Sequence, residues 1–516
     1  MITPKGGINL RLAPWDPEME ERNQCVSLRN FRFSDEYFEM IPGTKKYHGT
    51  SLSSRISAIM PYYNDQNDNY VLLIAAGGGI YRRDPQANEF TLLKSGLTSD
   101  SIFSSVIRHG VQYIPSIKDG LKKYLGGSQI ETVGGGSTAP GNFKYIIYAR
   151  EVDRLFGISE DAIYGQISWC DLSDPETWDG ASVERFKLKD GEKVEGADLL
   201  YGKLIVFCTY TVWIYYISGN EENWRLEEAP TAVGCVAGNT IKKVGNEIWY
   251  LADPLNYVRG VYGFNGTVSR RLSDDVNPLL KRINKNKIQN ACAVVYEDIY
   301  TISFALDASE TNDTAIDLDA ANNKEDGTPA IYGPHDLGFF SSCVLNTRQN
   351  NKELLLGDES DGFVYQMGGT TAKSVNGSDG SLIQQQFISM VHNEKSWDTL
   401  KRYEKVQVFF HPRGYFQARL KFYMSYGGYG QTSNFHTQVE RSGFAGDFDV
   451  YDKRIYGTPG LSEHQEHLPL HGGRGTSIQI ELINDVLARR LSFQGYGYSI
   501  NKEKTQMTKK APIYAA

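Results

Sequence analysis

The chain has 516 residues, 40% of them hydrophobic and 22% charged, which supplies a core and excludes extensive disorder. That length exceeds one ordinary domain, so a large repeat-built domain with a smaller companion is expected. A formal net charge of −8 excludes a protein that grips nucleic acid or anionic membrane by bulk charge.

No stretch approaches the roughly 18 apolar residues of a spanning helix, and the opening Met1-Ile2-Thr3-Pro4-Lys5 lacks the apolar core of a signal peptide. The expectation is a soluble chain made in the cytoplasm, with no membrane insertion. Cys25, Cys170, Cys208, Cys235, Cys292 and Cys343 lie far apart with no Cys-x-x-Cys pair, so reduced core thiols are expected and neither zinc nor a disulfide framework. The 32 Tyr, 23 Phe and 51 Gly suit pleated, half-buried surfaces joined by tight turns, and predict an all-β fold. Helices are expected only as accessories, over 277–287 and 396–404.

In chain order, residues 1–50 read as an N-terminal strand or arm that joins a platform or closes a ring. Residues 51–370 repeat. Apolar runs that fit inner blade strands begin near Val71, Val111, Leu155, Leu204, Ile248, Ile299 and Leu354, at intervals of roughly 40 to 55 residues. An aliphatic–aromatic pair follows in a second strand: Ile80-Tyr81, Ile163-Tyr164, Val212-Trp213, Val261-Tyr262 and Val364-Tyr365, with Leu121 to Tyr124 as a looser copy. The sixth copy is read as Ile331-Tyr332, displaced by a polar insertion over 307–327. Bulky rings at equivalent places fill the wedge between blades, so they are read as core and not as a ligand box. The prediction is a β-propeller of six or seven irregular blades. Trp178-Asp179 and Trp397-Asp398 occur singly, so a regular Trp-Asp repeat is disfavoured.

Residues 371–500 change pattern and read as a β-sandwich-like platform, with long strands over 384–392 and 406–424, a Gly/Tyr/Ser-rich stretch over 426–459, and strands over 477–482 and 490–499. The tail 501–516, with Lys502, Lys504, Lys509 and Lys510, reads as an extended arm that docks on a neighbour.

Signatures of chemistry are sparse. Gly77-Gly78-Gly79 and Gly134-Gly135-Gly136 precede no Gly-Lys-Ser/Thr and helix, so they read as a hairpin turn and a loop. No Gly-x-Ser-x-Gly or His-Glu-x-x-His occurs. His464, Glu466, His467 and His471 have ligand chemistry but read as a solvated loop, as do Asp313, Asp317 and Asp319, whose spacing is wrong for calcium. No catalytic, cofactor-binding or metal-binding residue is assigned. Carboxylates drawn from different blades leave a carbohydrate-active propeller open as an alternative.

The opening residues contain Gly6-Gly7-Ile8-Asn9-Leu10, Pro14, Pro17-Glu18, Gln24-Cys25-Val26-Ser27-Leu28-Arg29-Asn30-Phe31 and Ile41-Pro42-Gly43. Further on stand Ile167-Ser168-Trp169, Asp174-Pro175-Glu176-Thr177-Trp178, Leu204-Ile205-Val206-Phe207, Val212-Trp213, Gly234-Cys235-Val236-Ala237, Ile248-Trp249-Tyr250-Leu251, Val261-Tyr262-Gly263-Phe264-Asn265-Gly266 and Arg271-Leu272-Ser273. Over 5–45 and 145–290 this resembles the tail nozzle, or tail hub (packaged-DNA stabilisation), proteins of short-tailed bacteriophages. The resemblance implies a structural virion protein: a homo-oligomer, a hexameric ring below the portal and adaptor rings, in contact with tail fibre or tail needle proteins. It would retain packaged double-stranded DNA and conduct it during ejection without tight binding. Each matched residue also has a fold role: Pro175 biases Asp174 to extended backbone, Trp178 plugs between blades, Gly234 permits a sharp turn into a strand, and Asn265-Gly266 suits a type I′ hairpin. A virion adhesin or receptor-binding propeller is the principal alternative.

Overall fold

The computed structural model describes residues 2–34, 37–63, 70–83, 90–99, 104–134, 140–230, 232–255, 257–346, 352–369, 383–394, 399, 401–410, 418–425, 434–441, 464–469, 474–484 and 492–502. Seven four-stranded antiparallel sheets follow one another along the chain, over 56–94, 106–132, 145–187, 194–228, 242–271, 292–335 and 341–369. They are blades 1 to 7 of a β-propeller. In blades 1 to 6 the spatial order of strands is their chain order. Blade 7 supplies three strands and takes its fourth, Gly43–Lys46, from the N-terminal segment, with Tyr365 opposite Lys46 and Met367 opposite Thr44. The first strand of blade 7, Ser341–Asn346, packs on that of blade 1, Ile56–Tyr63, which closes the ring.

The apolar runs used to count the repeat fall in the second strand of every blade, not the innermost, as in Lys203–Cys208, Glu247–Ala252 and Ile299–Phe304. The reason is coverage. A second strand has a strand on each side and a blade on each face, so Ile299–Phe304 is buried at every position. A first strand borders the axis and mixes burial with exposure, as Val194–Leu200 does.

The aromatic pairs lie in third strands, with two corrections. Ile163 and Tyr164 are 53% and 40% exposed, so this pair is not core. Ile331-Tyr332 lies in the fourth strand of blade 6, Pro329–His335, and the third strand is Thr314–Asn323, within the segment read as an insertion. Its Asp317 and Asp319 hid a strand pattern whose other face carries Ile316 and Leu318. Asn265-Gly266 also differs from expectation. The connection to Ser269–Arg271 is a four-residue loop in which Asn265 Oδ1 accepts from the backbone N–H groups of Thr267 and Val268.

Gly234 does not stand at a strand entry, since the next strand is Lys242–Val244, and it serves a close backbone approach instead. A Cβ there would lie 2.4–2.5 Å from the backbone atoms Cys208 O, Thr209 O and Tyr210 N, none of which can yield as a side chain would. Gly234→Ala is expected to destabilise by about 1–3 kcal/mol. Gly180→Ala, where a Cβ meets nothing within 4 Å, is the neutral control. Equal melting temperatures for the two variants would refute the close approach.

The remaining strands form a two-sheet platform built from both ends of the described chain. One sheet runs Ser27–Arg29, Gln385–Ile388, Ser477–Asn484, Ala418–Ser425, Asn434–Arg441. The other runs Phe31–Ser34, Tyr37–Met40, Ser492–Lys502, Lys401–Phe410, His464–Pro469, with Arg474–Gly475 also on Lys401–Phe410. Phe387 of the first sheet meets Phe493 of the second at 5.0 Å between centroids, and Phe31 and Phe38 surround Phe493 at 5.2 and 5.1 Å. This core does not stop at the platform. Phe38 meets Tyr332 at 6.4 Å, and one continuous apolar cluster joins Phe387, Phe493 and Ile480 to Ile331, Tyr300 and Trp249.

Residues 2–46 hold the two parts together. Ile8 N–H donates to Ile331 O at 2.8 Å, and at Gly7 (φ +76°) a Cβ would lie 2.2 Å from that oxygen, so Gly7 lets the backbone touch blade 6, while Gly6 is closed in by Arg22 O. Asn501 and Lys502 end a platform strand, whereas the lysines after them lie outside the described residues. The helix expected over 277–287 shrinks to Asn277–Leu280 between short 3₁₀ turns. That expected over 396–404 is instead the start of strand Lys401–Phe410 where it is described.

Candidate interaction sites at the junction and the axial mouth

The sequence-selected polar clusters resolve differently from expectation. His464, Glu466 and His467 lie in strand His464–Pro469, paired along Lys401–Phe410, and not in a loop; His471 lies outside the described residues. Among the described residues no group of three metal-ligating side chains comes together. The six cysteines are unpaired, five buried and Cys343 half-buried, and burial pushes the Cys343 thiol up to about 12. Gly77 and Gly78, at φ +56° and +78°, make the turn between the second and third strands of blade 1. Gly135 and Gly136 lie outside the described residues.

Asp317 is the largest departure. Read as solvated, its side chain is fully buried between blade 6 and the N-terminal platform strand. Arg32 Nε donates to Asp317 Oδ2 at 2.7 Å, Thr301 Oγ1 donates to Oδ1 at 2.5 Å, and His335 Nε2 lies 3.2 Å from Oδ2. Burial opposes the charge, but Arg32 and His335 outweigh it and hold the carboxyl well below the usual range. Arg32, absent from any sequence motif, is thus the electrostatic pin of the platform on the propeller.

A second polar lock lies beside it. Asn9 Nδ2 donates to Gln24 Oε1 at 2.8 Å, Gln24 Nε2 donates to Asp275 Oδ2 at 2.7 Å, and Lys324 pairs with the same carboxylate. Every member is buried or nearly so, and each charge has a partner, as burial requires. A cleft of about 440 Å³ adjoins it, lined by Lys5, Arg22, Lys324 and Asp326.

The other surface opens at the axis. The first strands of blades 3, 4 and 5 end in short hairpins at 150–153, 201–202 and 245–246, and a cleft of about 420 Å³ lies across all three. Tyr148, Arg150, Glu151, Tyr201, Lys243 and Asn246 line it. Asp153 accepts from Arg108 Nε and Nη2 at 3.1 Å each, from Tyr148 Oη at 2.7 Å and from His109, so those donors are occupied and the carboxyl is held well below its usual range. Arg150 and Lys243 have no ion-pair partner among the described residues. Asp198, deeper at the axis, is raised by desolvation against the pull of Lys242 and Lys243. No sequence motif marked this cleft; its only local signal is a tyrosine ahead of a hairpin glycine.

No family model matches the chain, and no curated protein matches it. Solved structures do. BamB from Moraxella catarrhalis is similar over 67% of this chain and 99% of its own, at 10% identity and a TM-score of 0.40. YCF48 from Cyanidioschyzon merolae is similar over 63% and 98%, at 8% identity and 0.38, and the CNH domain of AfRom2 over 63% and 98%, at 9% and 0.36. The propeller assignment rests on the seven sheets themselves.

Proposed function

We propose that this β-propeller chain is a non-catalytic structural subunit of a virion tail: one copy in a hexameric nozzle or hub ring that retains packaged double-stranded DNA and conducts it at ejection. The portal and adaptor rings above it, and tail fibre or needle proteins beside it, are the expected neighbours. The observation that supports this most is the use of residues 2–46, where the sequence resemblance is dense. They give three strands to the platform and the closing strand to blade 7, and they carry Arg32 into blade 6. The two parts are thereby joined by an ion pair and one apolar cluster, a build that suits a ring subunit under the pressure of packaged DNA. The charge of −8 fits a wall that must let phosphates slide, since each lysine or arginine paired with phosphate adds salt-dependent grip.

The test is the native mass of the purified full chain, with duplex binding measured at about 0.15 M salt, where charges are screened over about 8 Å. A ring of six copies that binds random duplex no tighter than high micromolar is expected. Trimers or monomers at every concentration, or tight duplex binding by the free ring, overturn the reading; a trimer favours the adhesin instead.

A further inference from the structure

We propose that the axial cleft across blades 3 to 5 is a binding site for a saccharide bearing a carboxylate, with Tyr201 as its stacking platform and Arg150 and Lys243 as its anion contacts. This inference does not rest on the ring assembly proposed above.

Tyr201 is the unusual residue. It stands first in the two-residue turn Tyr201-Gly202, with φ +51° and +70°, where asparagine is preferred and a bulky side chain is strained. The strain does not serve burial, because Tyr201 is 60% exposed. Its hydroxyl donates to Asn246 O at 2.9 Å, and its Cδ2–Cε2 edge lies against Gly266, where a Cβ would sit 3.8–4.0 Å away. A large ring is therefore held rigid from two sides at the rim of a cleft, with much of its surface in water.

The charges beside it select the ligand class. Arg150 and Lys243 make no ion pair among the described residues, and both line the cleft where they can make charge-assisted hydrogen bonds to an anion. Glu151 lines the same cleft, its Oε1 within 3.9 Å of a Cβ built on Gly202. A carboxylate there accepts from sugar hydroxyls, donors that a phosphodiester backbone lacks. The mixture of one aromatic face, two cations and one acceptor matches the apolar face, carboxylate and hydroxyls of an acidic sugar. A cleft of about 420 Å³ has the size of a site for a short oligosaccharide.

The experiment titrates the full chain with trigalacturonate, neutral galactotriose and a thymidine tetranucleotide by calorimetry. Tyr201→Asn is the decisive variant, since Asn-Gly suits this turn and preserves folding while removing the ring. Trigalacturonate is expected to bind, galactotriose and the tetranucleotide more weakly, and both Tyr201→Asn and Arg150→Met/Lys243→Met to lose about tenfold in affinity at an unchanged or higher melting temperature. No binding of trigalacturonate at millimolar concentration, parental affinity in either variant, or tighter binding of the tetranucleotide would overturn the assignment.

Discussion

Asp317→Ala is expected to lower stability by about 3–5 kcal/mol, because it takes from Arg32 and His335 the buried carboxylate they share. The loss should be local first. The platform and blade 6 share one apolar cluster, so the charge defect opens at their seam, and protease cleavage near the junction should precede melting of the propeller. Arg32→Met in the Asp317→Ala background should recover part of the loss by removing the orphaned cation. A single variant that melts like the parent would show that the buried pair contributes nothing net.

The same group sets an acid response whose sign follows from linkage. Asp317 has its folded carboxyl below the usual value, so its contribution is complete above about pH 4 and drains as pH falls below that. His48 and His392 act earlier. Burial lowers each to about 4, so the unfolded chain takes protons first and stability falls between about pH 6.5 and 4. His48 is explicit about the reason: its Nε2 accepts from Val364 N–H at 2.9 Å while Nδ1–H donates to Thr50 O at 2.6 Å, and a protonated ring has no lone pair for Val364. The acid decline should therefore have two stages. Asp317→Ala should flatten only the lower one, and a single stage centred near pH 4 in both proteins would contradict this account.

Trp178→Ala is expected to cost about 3–5 kcal/mol, from a cavity between blades 2 and 3. Trp178 is 4% exposed, its ring lies 4.7 Å from that of Phe143, and its cluster draws Tyr113 and Leu121 from blade 2 and Ile146 and Leu155 from blade 3. The turn before it is set locally, with Asp174 accepting from Thr177 Oγ1 at 2.7 Å and from Glu176 N–H at 3.0 Å. Trp178 lies in the loop after the third strand of blade 3, while Trp213 lies within the third strand of blade 4, half-buried and 5.0 Å from Phe186. Trp213→Ala should consequently cost less, about 2 kcal/mol. Chemical denaturation of both variants checks the order; if both unfold like the parent yet fail to assemble, these rings are interface and not core.

The sequence by itself determined the all-β class, the blade repeat and the role of residues whose constraint is local. Pro175 and Asp174 are read from turn chemistry, and the apolar runs from their length and spacing, whereas the close approaches at Gly7 and Gly234 appear only in the fold. The turn chemistry needs only the residue and its chain neighbours, and the apolar runs are visible as unbroken stretches of sequence. The tertiary structure decided whatever depends on a partner far along the chain. That blade 7 is completed by Gly43–Lys46 follows from pairing across more than 300 residues, which no local pattern records. Asp317 looked solvated because a carboxylate is buried only against a compensating charge, and that charge, Arg32, comes from a strand 285 residues away. The axial cleft is assembled from three hairpins whose lining residues share no motif, so only the ring that sets them side by side makes it a site.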